Sequence, residues 1–341
     1  MVQIIILFVF LAAFSFCNIK YPWIGDAEFL RASNLNSQCH GYCLDIQSTN
    51  CIKGIAILFI LVGHIAGTFH TVVFTPLPSL GVSLFLMCSG YGLSQSYNSK
   101  GLNNFWGKKI SRVLLPYAIV ITLLVIFRRY DIDLIHYILE ITGLKTMYWY
   151  VAYQIKWYLV FFVSMLFFHR HCVLIFALVG VLMFLTLDSL EIEQTPAFII
   201  GVLASKYKDR LTKFGRRSML IQLAVFAFIG VFFLGLKQLP AIREYFGTLL
   251  YSIIQMMHNM AFALCIVGIV SILPFIRKNV FLIFCGIISY EIYLVHFPFY
   301  PYVGGDFMLA IALISISIIT AALFYAVNGK ISTKLGYYLH F

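Results

Sequence analysis

The run CIKGIAILFILVGHIAG, residues 51–67, holds a lysine and a histidine in a stretch that is otherwise apolar. At about 100° per residue, the eleven positions from Lys53 to His64 return to within roughly 20° of one helix face, about 16 Å further along the axis. The two side chains share one stripe. A lysine at the edge of such a run can snorkel to lipid headgroups. An imidazole deep inside it is expensive in hydrocarbon and faces a bundle interior or a wet cavity. Histidine titrates near neutral pH, so proton transfer is the chemistry His64 could perform; a hydrogen bond bridging two helices is the plainer alternative.

Other polar residues recur in apolar surroundings. Glu291 and His296 lie in ISYEIYLVHFPF, where an intramembrane carboxylate must pair with a buried polar group or serve a site. Ser89 and Tyr91 lie in CSGYG, Trp157 and Tyr158 in KWYL, and His258 and Asn259 in MMHNMAF. Ser89 and Gly90 also suit close helix packing, and Trp157 suits a membrane interface. A basic cluster, KKISR, places Lys108, Lys109 and Arg112 just before an apolar run.

The elements that must position these residues are membrane helices. The 341-residue chain is 62% hydrophobic and 11% charged, against about 25% charged in ordinary soluble domains. With roughly 20 apolar residues needed per crossing, candidate spans fall at 2–17, 53–73, 79–97, 113–127, 147–168, 172–187, 195–205, 218–236, 246–272, 279–296 and 307–327. The expected fold is an all-α polytopic bundle of about 10–11 transmembrane helices. The runs lack the two-residue alternation of a barrel. Residues 1–45 read as a retained N-terminal helix with a cytoplasmic linker, 46–327 as the membrane domain and 328–341 as a short cytoplasmic tail. Placing alternate loops inside, from 18–53 onward, collects most of the 24 lysines and arginines on one side, as cytoplasmic loops require. The Lys53 end and the C-terminus are then cytoplasmic. Net charge +11 is accounted for by topology, and no basic face interleaved with aromatics suggests nucleic acid. Among eight cysteines, Cys39 and Cys43 in CHGYC lack a second pair at zinc-site distance; a disulfide in a cytoplasmic loop is disfavoured as well. No metal site is expected.

Taken in order, GVSLFLMCSGYGLSQSY, FWGKKISRVLLPY, KWYLVFFVSMLFF, FIIGVLASKY and ISYEIYLVHFPF, after a basic residue and a histidine with ten residues between them, resemble acyltransferase family 3 over roughly residues 46–327. These are integral membrane O-acyltransferases that acetylate surface polysaccharides, peptidoglycan and related acceptors. The family's first motif, arginine, ten residues and the catalytic histidine, is matched by Lys53 and His64. Its second, a basic residue, two others and arginine, is matched by Lys109 and Arg112. In both, lysine replaces a first basic residue, keeping the charge; where the family has arginine, the planar fork that grips phosphate is lost.

The resemblance implies an acyl-CoA donor, with acetyl expected, and no tightly bound cofactor. Its phosphates would meet Lys53, Lys108, Lys109 and Arg112 at the cytoplasmic mouth, and its thioester would reach His64 as general base. Glu291 is paired with His64 as a catalytic residue. Ser89, Tyr91, Trp157, Tyr158 and His296 are candidates for binding substrate or shaping the site. The acceptor would be a hydroxyl of a cell-surface glycan or lipid-linked sugar, and the location the bacterial cytoplasmic membrane. No soluble hydrolase-like domain is expected after the last span, so acceptor chemistry belongs in the bundle or with a separate envelope-biosynthesis partner. The rival readings are a lipid or glycan-precursor flippase or exporter, and a non-catalytic membrane scaffold.

Overall fold

The computed structural model describes residues 41–338 except 72, 144–145 and 187, with side chains described as far as Ile331. The N-terminal span, the linker up to residue 40 and so Cys39 lie outside the described residues. Those described form helices and connecting turns, without strands. In chain order the principal helices are α1 (Ile46–Thr68), α2 (Pro76–Lys100), α3 (Phe105–Ile126), α4 (Leu134–Ile141), α5 (Trp149–Phe167) and α6 (Cys172–Thr186). They continue as α7 (Thr195–Lys206), α8 (Arg216–Gln238), α9 (Leu249–Ile272), α10 (Val280–Ile287), α11 (Ser289–His296) and α12 (Phe307–Tyr338).

Eight helical segments among the described residues are long and apolar enough to cross a bilayer. The 195–205 segment, short already in the sequence, is the single 12-residue α7. One expected span departs: 279–296 breaks at Ile288 into two 8-residue helices. Apolar residues dominate on both sides of Ile288 and suit one continuous helix, so the pattern gives no sign of the break. Backbone of that kind is tolerated at membrane depth only where protein covers it, and Ile288 is 1% exposed. Ser289 Oγ donates to the Gly286 carbonyl beside the break, at 2.9 Å.

The centre of the bundle is α1. It begins seven residues ahead of the expected start because Asp45 caps it, accepting from Ser48 N at 2.7 Å. Lipid tails are as apolar as leucine side chains, so helices in a bilayer associate through close packing of small residues. A Cβ on Gly54 would lie 1.9 Å from the Leu282 carbonyl oxygen, and one on Gly286 1.8 Å from the Asn50 carbonyl oxygen. Glycine at both positions therefore lets the backbones of α1 and α10 touch. Gly90 and Gly201 join α2 to α7 in the same way. An aromatic stack of Trp157, Phe161, Phe176 and Phe198 fills the space between α5, α6 and α7.

Before α1, Cys43 is disulfide-bonded, its partner lying outside the described residues. This corrects the expectation for that loop. Cys43 is 2% exposed, its Sγ accepts from Arg277 at 2.7 Å and its N–H donates to Ser271 Oγ. Burial restricts the access that thiol exchange needs.

Candidate functional site

At the far end of α1 from Lys53, the His64 ring meets the end of α11. His64 Nδ1 lies 3.1 Å from His296 Nε2, and His296 Nδ1 lies 2.8 Å from the Ile292 carbonyl oxygen. These distances assign the protons. A carbonyl only accepts, so His296 Nδ1 carries its hydrogen and, in the neutral ring, Nε2 is a bare lone pair. His64 Nδ1 must then donate to it, which leaves His64 Nε2 unprotonated. The half-buried His64 ring also stacks on Tyr300, with centroids 4.7 Å apart, and meets the edge of Phe297 at 5.8 Å. An imidazole held on three sides presents one nitrogen in one direction.

His296 is itself fixed. It is 0% exposed, and α11 is tied to its neighbours by two tyrosines. Tyr148 donates to the Leu294 carbonyl at 2.7 Å and Tyr290 to the Val113 carbonyl at 3.0 Å. Val113 lies in a π turn of α3, Ile110–Leu114, a feature frequent at functional sites.

Glu291, five residues before His296, points elsewhere. Its carboxylate receives a hydrogen bond from the Asn328 side chain and stands within electrostatic reach of Lys53. Glu291 thus lies with the lysine end of the α1 stripe, and the group in contact with His64 is His296. Lys53 also lies within reach of Cys88.

The basic cluster forms a second site at the start of α3. A pocket there is lined by Leu93, Tyr97, Asn103, Phe105, Lys108 and Lys109. Lys109 Nζ sits over two rings, 4.7 Å from the Tyr158 centroid and 5.4 Å from that of Phe105, a geometry that binds a cation without an acid. Lys108 Nζ donates to the Asn103 carbonyl at 3.0 Å, and Arg112 is exposed. Behind Lys109, Gln154 Nε2 bridges Tyr158 Oη at 2.5 Å and Ser89 Oγ at 3.1 Å. The structure therefore brings Lys108, Lys109, Arg112, Tyr158 and Ser89 together. Buried tyrosines link this cluster to the histidines: Tyr150 packs on Tyr293 at 5.6 Å, and Tyr293 on His296 at 6.0 Å.

Two sequence candidates stand apart. Trp157 is 0% exposed and stacks on Phe198 at 4.7 Å, in the core between α5 and α7. Tyr91 is buried on α2 within electrostatic reach of Asp45. Tyr300, Phe297, Tyr293 and Gln154 are neighbours of the site that the sequence reading passed over; the aromatic run HFPFY after His296 is the signal that could have found the first two. No cluster of three or more metal-ligating side chains occurs among the described residues.

A family model described as an acyltransferase domain, the acyltransferase family 3 model, matches residues 46–329. The chain belongs to that family. Comparison with curated proteins and with solved structures returns no match. This membrane acyltransferase therefore carries, within the matched region, both the buried histidine pair and the basic aromatic pocket.

Proposed function

We propose that the acyltransferase moves an acetyl group from acetyl-CoA to a hydroxyl of a cell-surface glycan or lipid-linked sugar, with His64 as general base. The observation that carries this reading is the relay from the Ile292 carbonyl through His296 to His64. It leaves the His64 Nε2 lone pair as the free basic nitrogen of the pair. In the reaction, Nε2 takes the acceptor O–H proton as the oxygen attacks the thioester carbonyl. The tetrahedral intermediate collapses with breakage of the C–S bond, and the departing thiolate takes the proton back. While His64 is charged, its Nδ1–H bond to His296 becomes charge-assisted and stronger.

The donor would enter at the opposite end, its phosphates beside Lys108, Arg112 and Lys109. Lys53 and Glu291 then flank the path of its uncharged arm past Tyr150 and Tyr293. The distribution of Lys and Arg supports a cytoplasmic Lys53 end, in keeping with a cytoplasmic donor and a bacterial inner-membrane location.

The test is His64→Ala in lipid nanodiscs, following acetyl-CoA-dependent acylation and acetyl-CoA binding separately. Transfer is expected to fall by about 10²- to 10⁴-fold, with binding unchanged. Retained transfer would remove the histidine from the mechanism, and flipping that is indifferent to acetyl-CoA would replace the enzyme with an exporter.

A further inference from the structure

A second buried polar cluster lies at the His64 end of the bundle and plays no part in the mechanism above. It is built on Ser79, in the first turn of α2, three residues beyond the point where α2 begins. Gly63, beside His64, is in contact with Pro78: a Cβ there would be 2.3 Å from the proline ring. The cluster is thus one residue removed from the catalytic helix. Glu193 and Gln194 reach it from the turn before α7, and Gln255 and Asn259 from one face of α9.

The hydrogen bonds assign every amide. Gln194 Nε2 faces the Ser79 carbonyl at 3.2 Å, which can only accept, and also Ser79 Oγ at 2.7 Å. Gln194 Oε1 accepts from Ser83 at 2.6 Å. Gln255 turns its Nε2 to the Glu193 carboxylate at 2.8 Å, again an acceptor. Ser79 Oγ directs its single proton to Glu193 Oε2 at 3.4 Å, so Asn259, 2.6 Å from Oγ, presents Nδ2 to it. With the amides fixed in this way, the oxygens left over are Gln255 Oε1 and Asn259 Oδ1. Both are buried and meet no donor among the described residues, and the Ser252 hydroxyl, which can donate as well as accept, likewise has no partner among them. Residues 252, 255 and 259 lie at helical spacing on one stripe of α9. A buried acceptor without a donor is destabilising, and two amide oxygens and a hydroxyl on one stripe call for a ligand that both donates and accepts.

The charge balance narrows the ligand class. Glu193 already has Lys237 within electrostatic reach, and Glu191 is paired with Lys156 at 2.8 Å, so a further cation has no counter-charge to meet. An anion such as a phosphate would face a carboxylate and three oxygens. Neutral hydroxyl groups satisfy the set. Ser79 and Gln255 keep part of their surface accessible, which gives such a ligand an approach.

We propose that Ser252, Gln255 and Asn259, with Glu193, bind the hydroxyl-rich acceptor, a sugar, and hold it beside His64. This rests on the acyltransfer reading above and adds the place where its sugar acceptor binds.

The test uses the full-length protein in nanodiscs with acetyl-CoA and a panel of methyl glycopyranosides. Acceptor-independent, His64-dependent hydrolysis of acetyl-CoA is measured alongside. Gln255→Leu and Asn259→Leu keep bulk and remove the oxygens; Ser252→Ala is the small change that preserves folding if the leucines do not. Each is expected to raise the glycoside KM by about 3- to 10-fold, with hydrolysis within about twofold of the parent. An unchanged KM in Ser252→Ala and in whichever leucine variants fold, or a parent that hydrolyses acetyl-CoA but acylates no glycoside, would overturn this assignment. A parent without His64-dependent hydrolysis would instead defeat the acyltransfer reading on which it rests.

Discussion

Two glycines in long apolar segments meet opposite surroundings. A Cβ on Gly286 in α10 would stand 1.8 Å from the backbone oxygen of Asn50, whereas one on Gly235 in α8 would meet nothing within 4 Å among the described residues. The contrast extends to the helices. In its most apolar window, α1 is 67% buried by the rest of the protein, and α8 is 11% buried. On the α1–α10 seam, backbone meets backbone, so relative position is set to within the width of a methyl group. On the α8 side, the described residues require only an apolar surface. The histidine pair is placed on the first kind of surface, where one member comes from α1 and the other from α11, directly after α10.

The comparison can be broken most severely at the seam. Gly286→Ala is expected to cost about 3 kcal/mol or more, since a methyl group must push two backbones apart. Thermal unfolding of the purified protein and its monodispersity on size exclusion read that loss. Next in size is His296→Leu, expected to lower kcat by about 10²-fold by removing the acceptor that sets the His64 tautomer. His296→Gln, whose Oε1 reaches the position of Nε2, should restore part of it. Lys109→Met keeps the packing against Tyr158 and Phe105 and removes the charge; the KM for acetyl-CoA should rise by about tenfold with kcat unchanged. The smallest effect is expected from Gly235→Ala, a gain of about 0.5–1 kcal/mol from helix propensity with activity unaltered. If Gly235→Ala proved as damaging as Gly286→Ala, the distinction between the seam and the α8 side would collapse.

The α1 stripe was legible because 3.6-residue periodicity is a local property: Lys53 and His64 need only one helix to share a face. The helix start was less so, since the Asp45 cap acts through one side-chain oxygen ahead of the apolar run. His296 could be singled out as polar in an apolar span, but its contact with His64 joins residues 232 positions apart. No sequence period encodes a contact of that kind. Glu291 was paired with His64 on the cost of burying a carboxylate; its polar partners are instead Asn328 and Lys53, and neither contact has a local signature. The break at Ile288 is hidden because the mostly apolar residues around it suit a continuous helix as well as a broken one. Trp157 shows the opposite limit: tryptophan suits an interface, a site or a core, and here the stack on Phe198 decides for the core.

The central claim is that His64 and His296 act as one unit, and a double-mutant cycle in kcat tests it most directly. His296→Leu should lower kcat by about 10²-fold in the parent and by less than about twofold in a His64→Ala background, because nothing remains there for His296 to orient. A loss of equal size in both backgrounds would contradict the account and return His296 to a structural role.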